Sequence, residues 1–153
     1  ELGLPSADAR LRYVIEDARR FIEAEREHYD LIVTDIFDGP QSPQWVIEPA
    51  FLQALRQRLT ARGGAAWNLL IGSEQRFIRF YRDLRRVFGG LTLCLEHDDH
   101  ENLLAMGFSA APEPMEMGAR LQQAMMLGER LELPLAEALA QLYRINPVGD
   151  GVL

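Results

Sequence analysis

The chain has 153 residues, 48% of them hydrophobic and 25% charged, which is the composition of an ordinary globular protein and a length that fits one compact domain. That balance excludes a disordered tail, a collagen-like repeat and a coiled-coil rod. With 16 Lys plus Arg against 23 Asp plus Glu the formal charge is −7, which argues against broad binding to a nucleic-acid backbone and suits a cationic small substrate.

In chain order, Glu1-Leu2-Gly3-Leu4-Pro5 carries no basic region followed by an apolar run and is not read as a signal peptide. A weak strand is predicted over 11–15, followed by a helix over 17–26 with Ala18, Phe21 and Ile22 on one face. The apolar run Tyr29-Asp30-Leu31-Ile32-Val33-Thr34-Asp35 reads as a strand buried on both faces, because it does not alternate. A second helix is predicted over 48–61, with Phe51, Leu52, Leu55 and Leu59 together and Arg62-Gly63-Gly64 as its stop. A second buried strand follows over 64–71; the stretch 63–72 is too short to span a bilayer, so no membrane association is expected. Ser73 is placed as the cap of a third helix, whose apolar stripe is Phe77, Phe80, Tyr81, Leu84 and Phe88, and which Gly89-Gly90 ends. Strands over 91–96 and 102–109 flank the polar cluster His97-Asp98-Asp99-His100, a connection short enough to make them antiparallel neighbours. Beyond Pro112 and Pro114, a Met-rich helix is predicted over 115–130 and another from Pro134 to near Arg144, with Asn146-Pro147 and Gly149-Asp150-Gly151 as a loose end. The pattern is strand–helix three times and then a hairpin, an α/β open sheet with an antiparallel edge.

Two short stretches carry chemistry. Asp35 stands where a buried strand ends, the place where ligands bind in open parallel sheets, and Asp38 follows three residues later in the loop. Two convergent carboxylates suit an amine substrate: one holds an ammonium group and the other accepts a proton from the attacking amine. The same spacing also fits a turn-forming pair, since Asp38-Gly39-Pro40 is turn chemistry. Asp17, between the first strand and the first helix, has the geometry to accept a hydrogen bond from a purine amine or to cap the helix.

The ordered set resembles a family. Glu16-Asp17-Ala18 before a helix, Tyr29-Asp30 opening the next strand, Asp35-Ile36-Phe37-Asp38 at its end, and then Phe51, Leu55, Leu59 and Gly63-Gly64 are similar to the catalytic domain of the spermidine synthases, the polyamine aminopropyltransferases. The likeness runs from about Asp8 to Ser109. It implies a partial class I methyltransferase-like (Rossmann-like) sheet over 1–110, with 111–153 as a helical extension of the same domain. It implies that Asp17, with Ala18 beside it, binds the adenine of the co-substrate, that Asp35 accepts the proton of the diamine nitrogen, and that Asp38 helps hold the diamine. The implied reaction transfers an aminopropyl group from decarboxylated S-adenosylmethionine to putrescine or a related amine. No permanently bound cofactor and no metal are implied.

The chain departs from the family pattern in places. Glu16 stands where members carry Gly, Asn68 lies in the run after which synthases carry Gln, and Pro40, Pro43 and Trp45 match the family's Gly-Pro-Ala segment only loosely. The family's Gly-rich loop after its first strand and the acidic residue at the end of its second are expected before Glu1 and are not found in this sequence, nor is its N-terminal β-hairpin domain. The expectation is therefore the C-terminal portion of a longer enzyme, inactive as this stretch alone, or a homologue that has lost catalysis. Two other readings stay open: an S-adenosylmethionine-dependent methyltransferase-like protein, and a non-catalytic binding or assembly module. In the family's sheet the strand at 11–15 is separated from that at 30–35 by strands absent here, so a homodimer or a rearranged sheet is expected.

The remaining signals have plainer readings. The cluster at 97–100 reads as a solvated turn rather than a metal site, and Arg76, Arg79, Arg82, Arg85 and Arg86 as a solvated helical face. Met115, Met117, Met125 and Met126 read as core or dimer contact. The single cysteine, Cys94, excludes an intrachain disulfide, reads as a buried small hydrophobe in a strand and favours the cytoplasm.

Overall fold

The computed structural model describes residues 10–97, 100–146 and 152–153. The opening residues, the tip Asp98-Asp99 of the expected polar turn and the expected loose end at 147–151 lie outside them.

Within the described residues the order is α1 (Ala18–Ala24), β1 (Tyr29–Asp35), a 3-10 turn (Gln44–Ile47), α2 (Pro49–Gln57), β2 (Leu59–Leu69), α3 (Glu74–Val87), β3 (Thr92–His97), β4 (His100–Phe108), α4 (Met117–Leu131) and α5 (Leu135–Ile145). The strands form one sheet in the order β1-β2-β4-β3, with β1 parallel to β2 and the rest antiparallel. The expected open α/β sheet with an antiparallel hairpin edge and a helical tail is thus observed.

Local chemistry explains the element ends that agree with expectation. Asp17 Oδ1 accepts the Arg20 amide at 3.0 Å and starts α1. Ser73 Oγ accepts the Arg76 amide and starts α3. Gly89 and Gly90 adopt positive φ angles after α3, and the Gly90 amide donates to the Arg85 carbonyl, a glycine stop of the usual kind.

Three expectations fail. The segment 11–15 forms no strand: Leu11, Tyr13, Val14 and Ile15 are all exposed and irregular. A strand is stabilised by a ladder, and no described strand pairs with this segment, although Arg12 and Val14 line one cavity with Leu31 and Val33 of β1. The second helix ends at Gln57, not near Ala61, and β2 begins at Leu59. Leu59 fits the helical stripe, but pairing wins: the Tyr29 amide donates to the Arg58 carbonyl at 2.8 Å, and Thr60 Oγ1 donates to Asp30 at 2.9 Å. The pairing register then jumps between Tyr29 and Leu31, and Gly63 sits inside this irregularity. A Cβ on Gly63 would stand 2.8 Å from the Tyr29 carbonyl, so glycine serves a close backbone approach here rather than a helix stop.

The third failure concerns burial. β2 alternates, with Gly63, Ala65, Trp67 and Leu69 buried and the residues between them half-buried. The sheet therefore has a packed face and a second, partly open one. On the packed face Trp67 and Leu69 belong to one buried cluster with Phe51, Leu52 and Leu55 of α2 and Phe80 and Leu84 of α3. Each such large apolar side chain contributes about 1.5–3 kcal/mol on burial. Trp67 also meets Phe88 edge-on, with ring centroids 5.8 Å apart. On the second face, Leu93 of β3 shares a cavity with Leu139 and Leu142 of α5, while Leu31 and Val33 of β1 are each 64% exposed. Cys94 is buried as expected, and burial pushes its thiol up to about 12. Met115, Met117, Met125 and Met126 are exposed on and before α4, so they do not pack into the core of this chain. No helix among the described residues is long and apolar enough to cross a membrane.

Candidate functional site

Parallel pairing of β1 with β2 brings Asp35 opposite Asn68. Antiparallel pairing brings Asn68 opposite Leu104, which places Asn102, two residues earlier, on the same face of the sheet. The side chains connect across this face. Asn68 Nδ2 donates to Asp35 Oδ1 at 2.9 Å, and Asn102 Nδ2 donates to Asn68 Oδ1 at 2.9 Å. One oxygen of Asp35 is thereby held, and the exposed carboxylate keeps the other for a ligand.

The loop after β1 is pinned under this edge. The Asp38 amide donates to the Gln41 carbonyl at 2.9 Å, and the Asp38 side chain is exposed in this turn. Ser42 and Leu70 exchange bonds: the Ser42 amide donates to the Leu70 carbonyl, and Ser42 Oγ accepts the Leu70 amide at 3.0 Å. Arg76 reaches inward from the first turn of α3. Its guanidinium donates to Gln41 Oε1 at 3.1 Å, the Ile71 carbonyl at 2.9 Å and the Ser42 carbonyl at 3.3 Å. One cation thus ties the loop carrying Asp38 to the end of β2 and the start of α3. The expected solvated arginine face therefore loses Arg76 as a member; Arg79, Arg82 and Arg86 remain exposed, and Arg82 and Arg86 flank Asp83 at 3.3 and 3.5 Å.

Asp35 and Asp38 thus share the end of β1 and its following loop, as their spacing predicts. Asp17 stands at the start of α1, with one oxygen spent on the helix cap and its side chain exposed. Ala18 lies in the wall of a cavity of about 570 Å³ between α1 and β1, together with Phe21, Leu31, Val33 and Ile36. Sequence reasoning missed the roles of Asn68, Asn102, Ser42 and Arg76. The signal for Asn68 was present: an amide inside an apolar strand requires partners. Those partners lie 33 and 34 residues away, where no local pattern reveals them.

No family model matches the chain. Curated relatives do. The polyamine aminopropyltransferases of Neisseria meningitidis serogroups A and B are each 28% identical over 144 residues, covering 94% of this chain and 54% of theirs. That of Chromobacterium violaceum is 26% identical over 150 residues, covering 98% of this chain and 57% of its own. The chain spans about half the length of the curated relatives it matches. Among solved structures, human methyltransferase-like protein 13 in complex with SAH superposes with a TM-score of 0.63 at 22% identity, over 94% of this chain and 64% of that one. A probable spermidine synthase from Corynebacterium glutamicum gives 0.55 at 18% identity, over 73% of this chain and 44% of that one. These two share the fold. By sequence, over nearly its whole length, the chain is similar to curated polyamine aminopropyltransferases, and it shares its fold with a probable spermidine synthase.

Proposed function

We propose that the protein is an aminopropyltransferase that moves the aminopropyl group of decarboxylated S-adenosylmethionine to putrescine or a related amine. The observation that carries this reading is the Asp35 carboxylate, held through one oxygen by Asn68 at a strand end, with Asp38 in the loop that follows.

In this reading Asp38 holds the cationic end of the diamine, and the free oxygen of Asp35 takes the proton of the attacking nitrogen. The nitrogen lone pair forms a bond to the propyl carbon attached to sulfur. The carbon–sulfur bond breaks, its electron pair stays on sulfur, and neutral methylthioadenosine leaves. The new secondary ammonium gives its extra proton to Asp35 and becomes the neutral secondary amine, and Asp35 passes the proton to water. The sulfonium carbon is already activated, so the protein's task is alignment. Ala18 and the apolar wall of the cavity between α1 and β1 suit the flat adenine ring, and the second oxygen of Asp17 remains for its exocyclic amine.

The test is an assay of the full-length polypeptide with decarboxylated S-adenosylmethionine and putrescine, with spermidine read by mass spectrometry. Asp35→Asn lowers kcat by about a hundredfold or more, as for loss of a general base, while the co-substrate dissociation constant changes little. Equal turnover by the variant and the parent sinks the role of Asp35. A second reading, methyl transfer from S-adenosylmethionine itself, is favoured by Asn68 inside the strand after which the family carries Gln, by Glu16 in place of the family's Gly, and by the fold shared with a methyltransferase-like protein. Methylated product without spermidine selects it. Absence of any adenosyl-ligand binding selects a non-catalytic module instead.

Two further parts of the proposal concern setting. The protein acts in the cytoplasm, as its single buried cysteine suits a reducing compartment. It forms a homodimer, for which the apolar side of β1, unpaired among the described residues, provides a surface.

A further inference from the structure

The bonds that join Asp35, Asn68 and Asn102 run in one direction. An ionised carboxylate only accepts, so Asn68 must turn its Nδ2 toward Asp35. The amide is planar, which leaves Oδ1 of Asn68 pointing to the other side. An acceptor there needs a donor, and Asn102 supplies Nδ2 at 2.9 Å. The charge on Asp35 thus orders two amides on two further strands, β2 and β4, and the partly buried bond from Asn102 holds that order.

We propose that Asn102 is a positioning residue for Asp35, acting through Asn68: its donated hydrogen bond locks the Asn68 amide, which binds one Asp35 oxygen and turns the other to the incoming amine. This rests on the reading of Asp35 as proton acceptor. Asn102 touches no reacting atom; it acts through its neighbour, as outer-shell partners do at other sites.

The chain of bonds has a polarity, so it can be reversed. Asn102→Asp keeps the shape and removes the donor. The new carboxylate pulls Nδ2 of Asn68 toward itself and leaves the Asn68 carbonyl facing Asp35, which must rotate away. In the full-length polypeptide, kcat falls about tenfold to a hundredfold, the scale of a misplaced catalytic group. KM for the diamine stays the same or falls, since the added negative charge attracts a cation. A merely structural role would lower Tm without this split between kcat and KM. Unchanged kcat overturns the proposal. Asn102→Ala, which removes the donor without adding charge, is the second variant, with kcat severalfold lower and the Asn68 side-chain amide signal in nitrogen–proton NMR moved from its parent position.

A double substitution separates this proposal from the assigned reaction. In the Asn102→Asp background, Asp35→Asn supplies a new amide at 35 that donates to the Asn68 carbonyl, so every bond re-forms in the opposite sense. The double variant recovers most of the Tm lost by Asn102→Asp and regains no activity. Losses of Tm that simply add, or an Asn68 amide signal indifferent to Asn102→Ala, overturn the proposal. Should the parent protein transfer no aminopropyl group, the reaction assigned above fails, and the Tm cycle and the amide signal still decide whether Asn102 orients Asp35.

Discussion

The Glu25 carboxylate accepts the Tyr29 hydroxyl at 2.7 Å and the amides of Arg26 and Glu27 at 2.6 and 3.1 Å. The Tyr29 bond, followed by the backbone amides, holds the Glu25 pKa down at about 2, and the same bond raises that of Tyr29. The sign follows from which form is favoured. The depressed carboxylate contributes stability in full above its ordinary value near 4.5, and this is lost as pH falls through about 2. Tyr29 contributes stability that is present below its ordinary value of 10 and lost as pH rises through the higher folded value. A carboxyl carbon NMR titration of Glu25 is expected to show a midpoint of about 2. Tyr29→Phe, which leaves the two backbone donors, moves that midpoint upward without fully restoring it. A midpoint in the ordinary carboxylate range for the parent contradicts the bond. At the same scale, Asn68 shows how one amide in an apolar strand joins sheet architecture to a candidate site.

Among elements, β3 forms the edge of the sheet beyond β4 and carries backbone groups that another strand would otherwise pair. The end of α5 meets that need. Asn146 Oδ1 accepts the Cys94 amide at 2.8 Å, and its Nδ2 donates to the Cys94 carbonyl at 2.6 Å and the Leu142 carbonyl at 2.9 Å. Gln141 Nε2 donates to the Glu96 carbonyl at 2.6 Å. Two side-chain amides therefore stand in for a neighbouring strand, and they fix the helical tail against the sheet. Asn146→Ala leaves the buried Cys94 amide and carbonyl unpaired and is expected to cost about 2–4 kcal/mol in urea unfolding. A loss below about 0.5 kcal/mol, the range of a neutral surface change, would contradict this account. Arg76 plays the analogous part at the other end of the sheet, where its bonds bind a loop, a strand end and a helix start together.

For the whole molecule, the open side of the sheet is the main unbalanced feature. Leu31 and Val33 are 64% exposed, β1 pairs on one side only within the described residues, and Leu11, Tyr13, Val14 and Ile15 lie exposed nearby in sequence. An apolar strand with a free edge pairs readily with another chain. The net charge of −7 opposes non-specific clumping but is too diffuse to block a specific contact. Sedimentation equilibrium of this 153-residue chain is expected to show concentration-dependent dimerisation, weakened by Leu31→Lys, which places charge on that surface. A strict monomer at all concentrations would remove the proposed homodimer. Met117, Met125 and Met126 are exposed along α4.

What the sequence determined by itself was what depends on near neighbours. The Asp17 and Ser73 caps, the Gly89-Gly90 stop and the β3–β4 hairpin rest on contacts within a few residues or across one turn, and the Tyr29–Asp35 strand shows in the sequence as a short apolar run. The Asp35 and Asp38 pair was legible for the same reason, because a strand end and the next turn are local features. Tertiary structure decided the rest. Whether 11–15 becomes a strand depends on a partner strand, and Leu59 belongs to β2 because Tyr29 pairs with it, although it fits the helical stripe equally well. The buried alternation of β2 reflects which face the helices cover, a matter no apolar run encodes. Arg76 turned inward because three carbonyl acceptors meet there, and Asn102 reached Asn68 because β4 folds back beside β2. Apart from the bond of Arg76 to Ile71, those contacts join residues 34 or 35 apart in the chain, and only the folded sheet brings such distant donors and acceptors within hydrogen-bond reach.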